Sequence, residues 1–447
     1  MRRHTAVALL FLAAAFAVAA GAASGDAGTL RVGTSGDYPP FSAAVGEEIV
    51  AFEGFDIELA RAYAGARGLA IEFVPFRWPE LTAALTANRF DVAMSGVTIR
   101  PERSAIGRFS VAVAETGAIV LGRPKDRFSQ LSDFDRRPIT IGVNAGGHLE
   151  RIARAHFPNA TLLAIANNAA VHAALMEGNL DAVVTDTLEA RRWLRASDDL
   201  ALIGPFTSDR KAYLVRQERP DLAADLDGWL LDREADGTLD GLRSKHFGAR
   251  KPSRLATPLR ALLAAIDERL ALMPLVAAAK RRAGLPLEVP EREAIVLDAA
   301  IESAMAAAER ADTTPPPLAA TRRLFLAQME AAKEVQWESL RDPQVNPSDS
   351  ALDLQEQLRP ALLRIGDRIS QLLVTLPTDL DSSHIRELAL RELRTPHLSK
   401  ASTLALADAI SALSATRKTT EVEPTPGRTE SDSSVPHRAP GPDAASD

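Results

Sequence analysis

Two carboxylates stand three residues apart in the segment "TDTLE", which covers residues 185 to 189. Asp186 and Glu189 follow the apolar run "AVV", at a point where a buried strand should end and a helix should begin. At this spacing both side chains lean over the same opening. A cleft that binds an ammonium group needs only one carboxylate, so the second requires an explanation. The alternative for Glu189 is a first-turn acid that faces solvent and is stabilised by the helix macrodipole.

Two cations form a second constellation in the run "LRALLAAIDERLALMPLVAAAKRRAG". Arg269 and Lys280 are eleven residues apart in the sequence, about three helical turns plus 20°, so they share a face that is otherwise apolar. Pro274 lies between them and is expected to kink the helix. The alternative is an ordinary amphipathic helix of a bundle, because surface Arg and Lys are common.

The length, charge and cysteine content of the chain exclude some classes of function. A chain of 447 residues predicts two or three domains, and a net charge of -7 argues against nucleic acid as a partner. The chain has no cysteine, so disulfides do not stabilise the fold. We find no metal-ligand cluster, nucleotide-binding loop or redox motif in the sequence and expect no cofactor and no metal; "VNAGG" is too short for a dinucleotide fingerprint.

The first 24 residues have the pattern of a signal peptide. "MRRH" supplies positive charge, an apolar run follows, and "AGAAS" offers small residues for cleavage. The alternative, a retained membrane anchor, fits less well because the apolar run is short. We therefore expect an exported, periplasmic protein with no membrane contact after cleavage.

From residue 27 to residue 248 short apolar runs alternate with helical stretches, which predicts an α/β domain. "LRVGTS", "GFDIELARAYAGARG", "IEFVPF", "WPELTAALTANR" and "FDVAMSG" form a β-α-β-α-β set. A second set begins at "PITIGVNAGG" and ends in "LDAVVTD". "ETGAIVLGR" and "KAYLVRQ" are placed to cross between the two sets, so the sequence predicts two lobes with a cleft between them.

This stretch resembles the periplasmic solute-binding proteins of the polar amino acid type, in the motifs "VGTSGDYPPFS", "FEGFDIELARAYA", "DVAMSGVTIRPERSAIGRFS", "GVNAGGHLE" and "LDAVVTDTLEA". The resemblance implies a two-lobed type II binding-protein fold. It also implies that Arg103 and Thr98 hold a ligand carboxylate. The helix start at Gly147 would present backbone amides to an anion, and Asp186 would pair with an ammonium group.

A smaller group on the same fold, the cyclohexadienyl dehydratases, is more similar in "GDYPPFS", "RWPEL", "GVNAGG" and "TDTLEA". These enzymes convert prephenate to phenylpyruvate, or arogenate to phenylalanine. Loss of hydroxide at neutral pH needs an acid, and Glu189 would be that acid, with a pKa raised by burial and by Asp186. The other expected substrate contacts are Asp37, Trp78 and Asn144. For Asn144 the alternative is a loop-shaping role, and for Trp78 it is a helix staple.

His148 departs from that pattern, because the dehydratases often carry a small hydroxyl residue there. The sequence therefore leaves the role of His148 open. Arg100 could contact substrate or solvent.

After residue 248 the strand signals vanish, and residues 254–415 predict an all-α domain. "DERLALMPLVAAAKRRAGLPLEVPERE", "FLAQMEAAKEVQW" and "LRPALLRIGDRI" resemble the secreted, all-helical chorismate mutases. The resemblance implies a site for the chorismate dianion. Arg269, Arg292 and Arg359 would hold its carboxylates. Lys280 and Gln336 would donate to the ether oxygen.

Two positions depart from the mutase pattern. Val289 stands where an Asp is frequent, and Ala332 stands where a small hydroxyl residue is frequent. Recognition of the substrate hydroxyl would then shift to Glu293 or weaken. The Pro- and Ser-rich residues 416–447 predict a disordered tail.

The two resemblances fit one reaction sequence. We expect an exported bifunctional enzyme of phenylalanine biosynthesis, with chorismate and prephenate as its substrates. Arogenate stays open as a substrate, and the sequence predicts no oligomeric state. The alternative is an amino acid receptor of a transporter or sensor, fused to a mutase.

Overall fold

The computed structural model describes residues 28–46, 51–195, 197–248, 254–342 and 352–422. The segment 1–24, expected to be a signal peptide, lies outside these ranges. The chain forms a two-lobed α/β domain followed by an all-α domain, which confirms the fold class expected from the sequence. Among the described residues, we find no helix that is both long and apolar enough to span a membrane.

Lobe one is built around a five-stranded sheet of order β5-β1-β6-β15-β7. β1 is parallel to both of its neighbours, whereas β15 runs antiparallel to β6 and β7. The elements of this lobe are β1 (Thr29–Thr34), β2 (Asp37–Tyr38), β3 (Ser42–Val45), β4 (Ala51–Glu53), α1 (Phe55–Ala66), β5 (Ala70–Pro75), α2 (Leu81–Thr86), β6 (Val92–Ala93), α3 (Pro101–Ser104), β7 (Gly107–Phe109), β15 (Leu214–Arg216), α7 (Pro220–Ala235) and α8 (Thr238–Phe247).

Lobe two has its own five-stranded sheet, of order β11-β10-β12-β9-β13. Its elements are β9 (Ala118–Gly122), β10 (Thr140–Asn144), α4 (His148–His156), β11 (Thr161–Ile165), α5 (Asn168–Met176), β12 (Ala182–Asp186), α6 (Glu189–Leu194) and β13 (Ala201–Ile203). The sequence analysis did not identify β11, an edge strand with no fully buried residue. A strand without a buried face lacks the apolar alternation by which strands are recognised.

Two short strands connect the lobes. β8 (Ala114–Thr116) precedes β9, and β14 (Asp209–Lys211) precedes β15. They pair antiparallel with each other in a two-stranded sheet. The predicted crossing of "ETGAIVLGR" and "KAYLVRQ" between the lobes is thereby confirmed, and we call this β8/β14 pair the hinge.

The C-terminal domain is helical throughout its described part. The helices are α9 (Pro258–Ala271), α10 (Met273–Arg282), α11 (Pro290–Arg310), α12 (Leu318–Arg341), α13 (Arg359–Val374), α14 (Ser382–Glu392) and α15 (Lys400–Val422), with a π-helical turn at Leu354–Leu358 before α13. The break between α9 and α10 falls at Leu272, just before Pro274, as the expected kink requires.

The end of α15 corrects the expected tail boundary. The helix continues to Val422, into the first residues of the segment 416–447 that the sequence analysis expected to be disordered. No Gly or Pro interrupts the sequence between Lys400 and Pro424, so nothing in the local sequence requires the helix to end at residue 415. The remainder of that segment lies outside the described residues.

The apolar core does not follow the boundary between the two domains. Leu30 and Val32 of lobe one belong to the same continuous cluster of buried side chains as Leu262 and Ile266 of α9. Lobe two has separate clusters on the two faces of its sheet. The helical domain is therefore packed onto lobe one rather than tethered to it.

Candidate active sites

A cavity lies between the two lobes. Both lobes and the hinge contribute to its wall. The lining residues are Tyr38, Trp78, Gly96, Thr98, Arg103, Asn144, Gly147, His148, Leu149, Asn168, Glu189 and Lys211. The structure thus brings together six of the residues predicted for the first site: Trp78, Thr98, Arg103, Asn144, Gly147 and Glu189.

Glu189 begins α6 and is only 3% exposed, so the solvent-facing alternative does not apply. Asn168 donates a 2.5 Å hydrogen bond to one carboxyl oxygen, and the Thr185 hydroxyl donates a 2.6 Å hydrogen bond to the other. Burial, together with the negative charge of Asp186, raises the pKa of Glu189 to about 8, although these two donors oppose the shift. Glu189 is therefore a protonated carboxyl at neutral pH that lines the cavity.

Asp186, the last residue of β12, is 1% exposed and fully engaged by the protein itself. One oxygen accepts from the backbone amides of Leu188 and Glu189, as a capping residue does, and the Tyr38 hydroxyl donates to the other. The Lys211 ammonium lies 3.8 Å from the latter oxygen. A cation of the chain therefore stands beside the carboxylate that was expected to pair with a ligand's ammonium group.

Lys211 ends the hinge strand β14 and points into the cavity. Its ammonium donates a 2.9 Å hydrogen bond to the Thr98 hydroxyl. Burial lowers the pKa of Lys211, and the nearby Asp186 and Asp209 oppose that shift. The cavity thus contains a desolvated cation in addition to Arg103, which suits an anionic ligand.

Arg103, in α3, is 2% exposed and donates a 3.0 Å hydrogen bond to the Thr98 carbonyl. Its guanidinium carbon lies 5.9 Å from the centre of the Trp78 ring. The Trp78 indole N–H donates to the Asp37 carboxylate over 3.1 Å. Asp37 therefore orients the indole, although it does not itself line the cavity. Arg100, at the N-terminus of α3, is 3.9 Å from Glu102.

The opposite wall is the loop from β10 to α4. Asn144 ends the strand, and Gly147 caps the helix N-terminus. Gly146, between them, has φ +72°, and a Cβ there would lie 2.5 Å from Pro79 of lobe one. Only glycine allows this backbone conformation and this close approach of the lobes. The structure is therefore a closed state of the cleft.

His148 pairs with Asp209 through a 3.0 Å contact of Nε2 with a carboxylate oxygen, and Thr207 donates to the other oxygen. Burial lowers the pKa of His148, whereas Asp209 opposes the shift. Three atoms of residues that line the cavity are buried without a hydrogen-bond partner among the described residues: Arg103 Nε, Asn144 Oδ1 and His148 Nδ1. Unpaired buried polar atoms are costly, so a polar ligand is the natural partner for them.

A second cluster lies in the helical domain. Lys280 of α10 donates to Gln336 of α12 over 3.2 Å and to the Leu287 carbonyl over 2.5 Å. Burial, together with the charges of Arg359 and Arg292, lowers the pKa of Lys280. The structure thus brings together four of the five predicted residues. The charges of Arg292 and Arg359 oppose that of Lys280, so an anionic ligand would be a favourable partner for the cluster.

The fifth residue, Arg269, lies on α9, and the guanidinium atom Nη1 is buried with no hydrogen-bond partner within the described ranges. Burial lowers the pKa of Arg269. Glu293 is bound by the Lys333 ammonium at 2.8 Å. Val289 is the residue before α11, and Ala332 is buried in α12, where its carbonyl accepts a bond from Gln336.

Four side chains that contact Asp186 or Glu189 were not singled out from the sequence: Tyr38, Asn168, Thr185 and Lys211. Tyr38 and Thr185 lie inside the motifs "GDYPPFS" and "TDTLEA", so their motifs were recognised although their roles were not. Asn168 and Lys211 reach the site from α5 and β14. Only the tertiary arrangement of those elements identifies them.

Comparison with known proteins agrees with this geometry. Residues 30–249 match the family "Bacterial extracellular solute-binding proteins, family 3", and residues 260–337 match "Chorismate mutase type II". The cyclohexadienyl dehydratase of Pseudomonas aeruginosa is 34% identical over 219 residues, which is 48% of this chain and 81% of the relative. The L-cystine-binding protein TcyJ of Escherichia coli (strain K12) is 28% identical over 226 residues, 50% of this chain and 84% of that protein.

Among solved structures, the ancestral amino acid-binding protein AncCDT-1, described as a precursor of cyclohexadienyl dehydratase, is 33% identical; the match covers 49% of this chain and 96% of that one, with a TM-score of 0.46. The chain belongs to the bacterial extracellular solute-binding proteins of family 3, and it carries a chorismate mutase type II domain after that domain.

Proposed function

We propose that the chain is a bifunctional enzyme of phenylalanine biosynthesis. Residues 254–415 convert chorismate to prephenate, and residues 27–248 convert prephenate to phenylpyruvate. The family match and the dehydratase relative support this assignment. The family is one of extracellular proteins. We further propose that residues 1–24 direct export to the periplasm and are then removed.

The dehydratase assignment rests on the buried Glu189 carboxyl in the cavity wall, whose pKa is raised to about 8 by burial and by the charge of Asp186. The Glu189 carboxyl protonates the hydroxyl of prephenate, and water leaves. The ring carboxylate departs as carbon dioxide, and its bonding electrons complete the aromatic ring. Asn168 and Thr185 then stabilise the carboxylate formed at Glu189, because both donate to its oxygens. A proton from solvent restores the acid.

The mutase reaction needs orientation rather than proton transfer. Arg269, Arg292 and Arg359 hold the two carboxylates of chorismate in the folded conformer. Lys280 donates to the ether oxygen as its bond to carbon breaks. The side-chain carbonyl oxygen of Gln336 accepts from Lys280 over 3.2 Å and so orients that ammonium, while the Gln336 amide, which donates to the Ala332 carbonyl, would turn to the ether oxygen when chorismate binds. The close cations in this cluster support a dianionic substrate.

An amino acid receptor is the second candidate, and the similarity to TcyJ favours it. A receptor would need Asp186 to bind a ligand's ammonium group, but the Tyr38 hydroxyl and the Lys211 ammonium already contact that carboxylate. Prephenate has no ammonium group, whereas arogenate and amino acids have one. The position of Lys211 therefore favours prephenate over both.

The test supplies purified mature protein with chorismate alone and, separately, with prephenate alone, and follows phenylpyruvate by its absorbance in alkali. We expect turnover of both. Tight binding of an amino acid by calorimetry, with no phenylpyruvate above the uncatalysed background, would establish the receptor function instead.

Lys211→Met is expected to lower kcat/KM for prephenate by roughly tenfold or more, because charged hydrogen bonds contribute about 1.5–3 kcal/mol. The loss should fall mainly on KM, since Lys211 binds substrate in this scheme and transfers no proton. Steady-state kinetics on prephenate measures it. Lys245→Met, at an exposed ion pair with Glu58, is the matched control and should leave KM unchanged. An unaltered KM in the Lys211 variant would show that this cation does not contact substrate.

A further inference from the structure

A network of charged side chains joins the mutase domain to the hinge. On hinge strand β14, Arg210 contacts Asp267 at 2.7 Å and Glu392 at 3.1 Å. On hinge strand β8, Glu115 accepts from Arg394 at 2.8 Å. Arg260 bridges Glu115, at 3.2 Å, and Glu392, at 2.7 Å. Both strands that connect the lobes are thus held by one domain.

The centre of the network is buried. Its members are four arginines and three acids: Arg210, Arg260, Arg391, Arg394, Glu115, Asp267 and Glu392. The side chains of Arg210 and Glu392 are 9% and 2% exposed. Asp267 also accepts from the backbone amides of Arg394 and Thr395, over 2.7 Å and 2.8 Å. The carboxylate that holds β14 is therefore fixed within the mutase domain.

The hinge residues that contact the network are adjacent to cleft residues. Successive side chains of a strand point to opposite faces, so Arg210 faces the mutase domain while Lys211 faces the cavity. A second contact repeats this arrangement, because Ser104 donates to Glu268 over 2.7 Å and its neighbour Arg103 lines the cavity. Lys211 and Arg103, which line the cavity, are thus each adjacent in the sequence to a residue that contacts the mutase domain.

Stability alone explains such a network poorly. Buried ion pairs often contribute no more than apolar residues of similar volume, whereas a contact that must fix one geometry benefits from directional charges. The lobes must separate to admit substrate, and the short strands between them absorb that bending. A domain that holds both strands therefore controls how far the cleft opens.

We propose that the mutase domain braces the hinge of the two-lobed domain, with Asp267, Glu392 and Arg394 as positioning residues that favour the closed cleft. The part of this inference that concerns turnover rests on the proposed dehydratase function. The part that concerns opening of the lobes does not. The brace makes the mutase domain a conformational partner of the cleft in addition to a supplier of its substrate.

The first experiment measures opening directly. The natural chain has no cysteine, so Ala83→Cys in α2 and Ala173→Cys in α5, both exposed, can carry a pair of spin labels across the cleft. We expect Glu115→Gln, and separately Arg394→Gln, to shift the distance distribution in the full-length protein towards longer, broader distances. Glu177→Gln, an exposed glutamate of lobe two, is the control and should leave the distribution unchanged. Glu115 and Arg394 are partly exposed, at 29% and 22%, so these variants should fold.

The second experiment measures turnover in the same variants. We expect KM for prephenate to rise by about fivefold or more, the lower end of ordinary coupling between sites, while mutase kcat/KM stays constant. The effect of the double variant should be smaller than the sum of the two single effects, because both substitutions remove the shared contact between Glu115 and Arg394. A lower melting temperature with an unchanged distance distribution would show that the network only stabilises the domain interface. That result would contradict the proposal that it limits opening of the cleft. Altered distances in a protein that turns over no prephenate would retain the brace and refute the dehydratase function.

Discussion

Glu189→Gln is expected to reduce kcat for the conversion of prephenate to phenylpyruvate by about 10²–10⁴-fold, the usual contribution of a general acid. Glutamine keeps the size of the side chain and can still hydrogen-bond to Asn168 and Thr185, but it cannot transfer a proton. KM should change little. The measurement is steady-state kinetics on prephenate, with mutase activity on chorismate recorded in the same preparation as an internal reference.

Glu177→Gln supplies the matched control for that variant, because it makes the same chemical change at an exposed position of lobe two. The pH profile adds a separate test. A group with a pKa of about 8 in the free enzyme is protonated below that pH, so wild-type kcat/KM should be level below pH 8 and fall above it. A profile that rises through pH 8 would mean that the ionised form is active, and Glu189 would then be a base.

Lys280→Met is expected to reduce kcat for the chorismate rearrangement by about 10²–10³-fold, the cost of removing one preorganised donor from a developing negative charge. Methionine retains much of the length of lysine but carries no donor and no charge. Gln336 would remain as a weaker neutral donor. Loss of chorismate absorbance measures the rate.

Arg281→Met, one residue further along α10 and exposed, controls for loss of a cation from that helix and should keep full mutase activity. Dehydratase activity on supplied prephenate should be unaltered in the Lys280 variant, since the residue lies outside the cleft. Equal mutase activity in the Lys280 and Arg281 variants would contradict the role of Lys280 as donor.

The sequence predicted those parts of the sites whose members lie in one motif or one helix. Asp186 and Glu189 share a strand end and a helix start, so their spacing alone placed them together. For Arg269 and Lys280 the same argument assumed one continuous helix, whereas the chain divides at Leu272 and places Arg269 on α9 and Lys280 on α10. The raised pKa of Glu189, however, depends on the burial of its side chain. The sequence alone did not decide whether that side chain faces a cavity or solvent.

Other features depend on contacts between segments that are remote in the sequence. Lys211 reaches Asp186 only because β14 crosses back beside β8. Asn168 reaches Glu189 from a different helix. The pairing of Arg210 with Asp267 joins two domains whose docking no local pattern encodes. Periodicity reports the face of an element, but it does not report which other element that face meets.

The continuous apolar cluster that lobe one shares with α9 sets the units in which this protein loses its structure. We expect lobe one and the mutase domain to unfold as one cooperative block and lobe two to melt first, because the buried side chains of lobe two, apart from Leu188, form clusters of their own. The boundary between the two unfolding units therefore lies between lobe one and lobe two of the solute-binding domain. It does not lie at the junction between that domain and the mutase domain. Cutting the chain at that junction would expose apolar surface on both pieces.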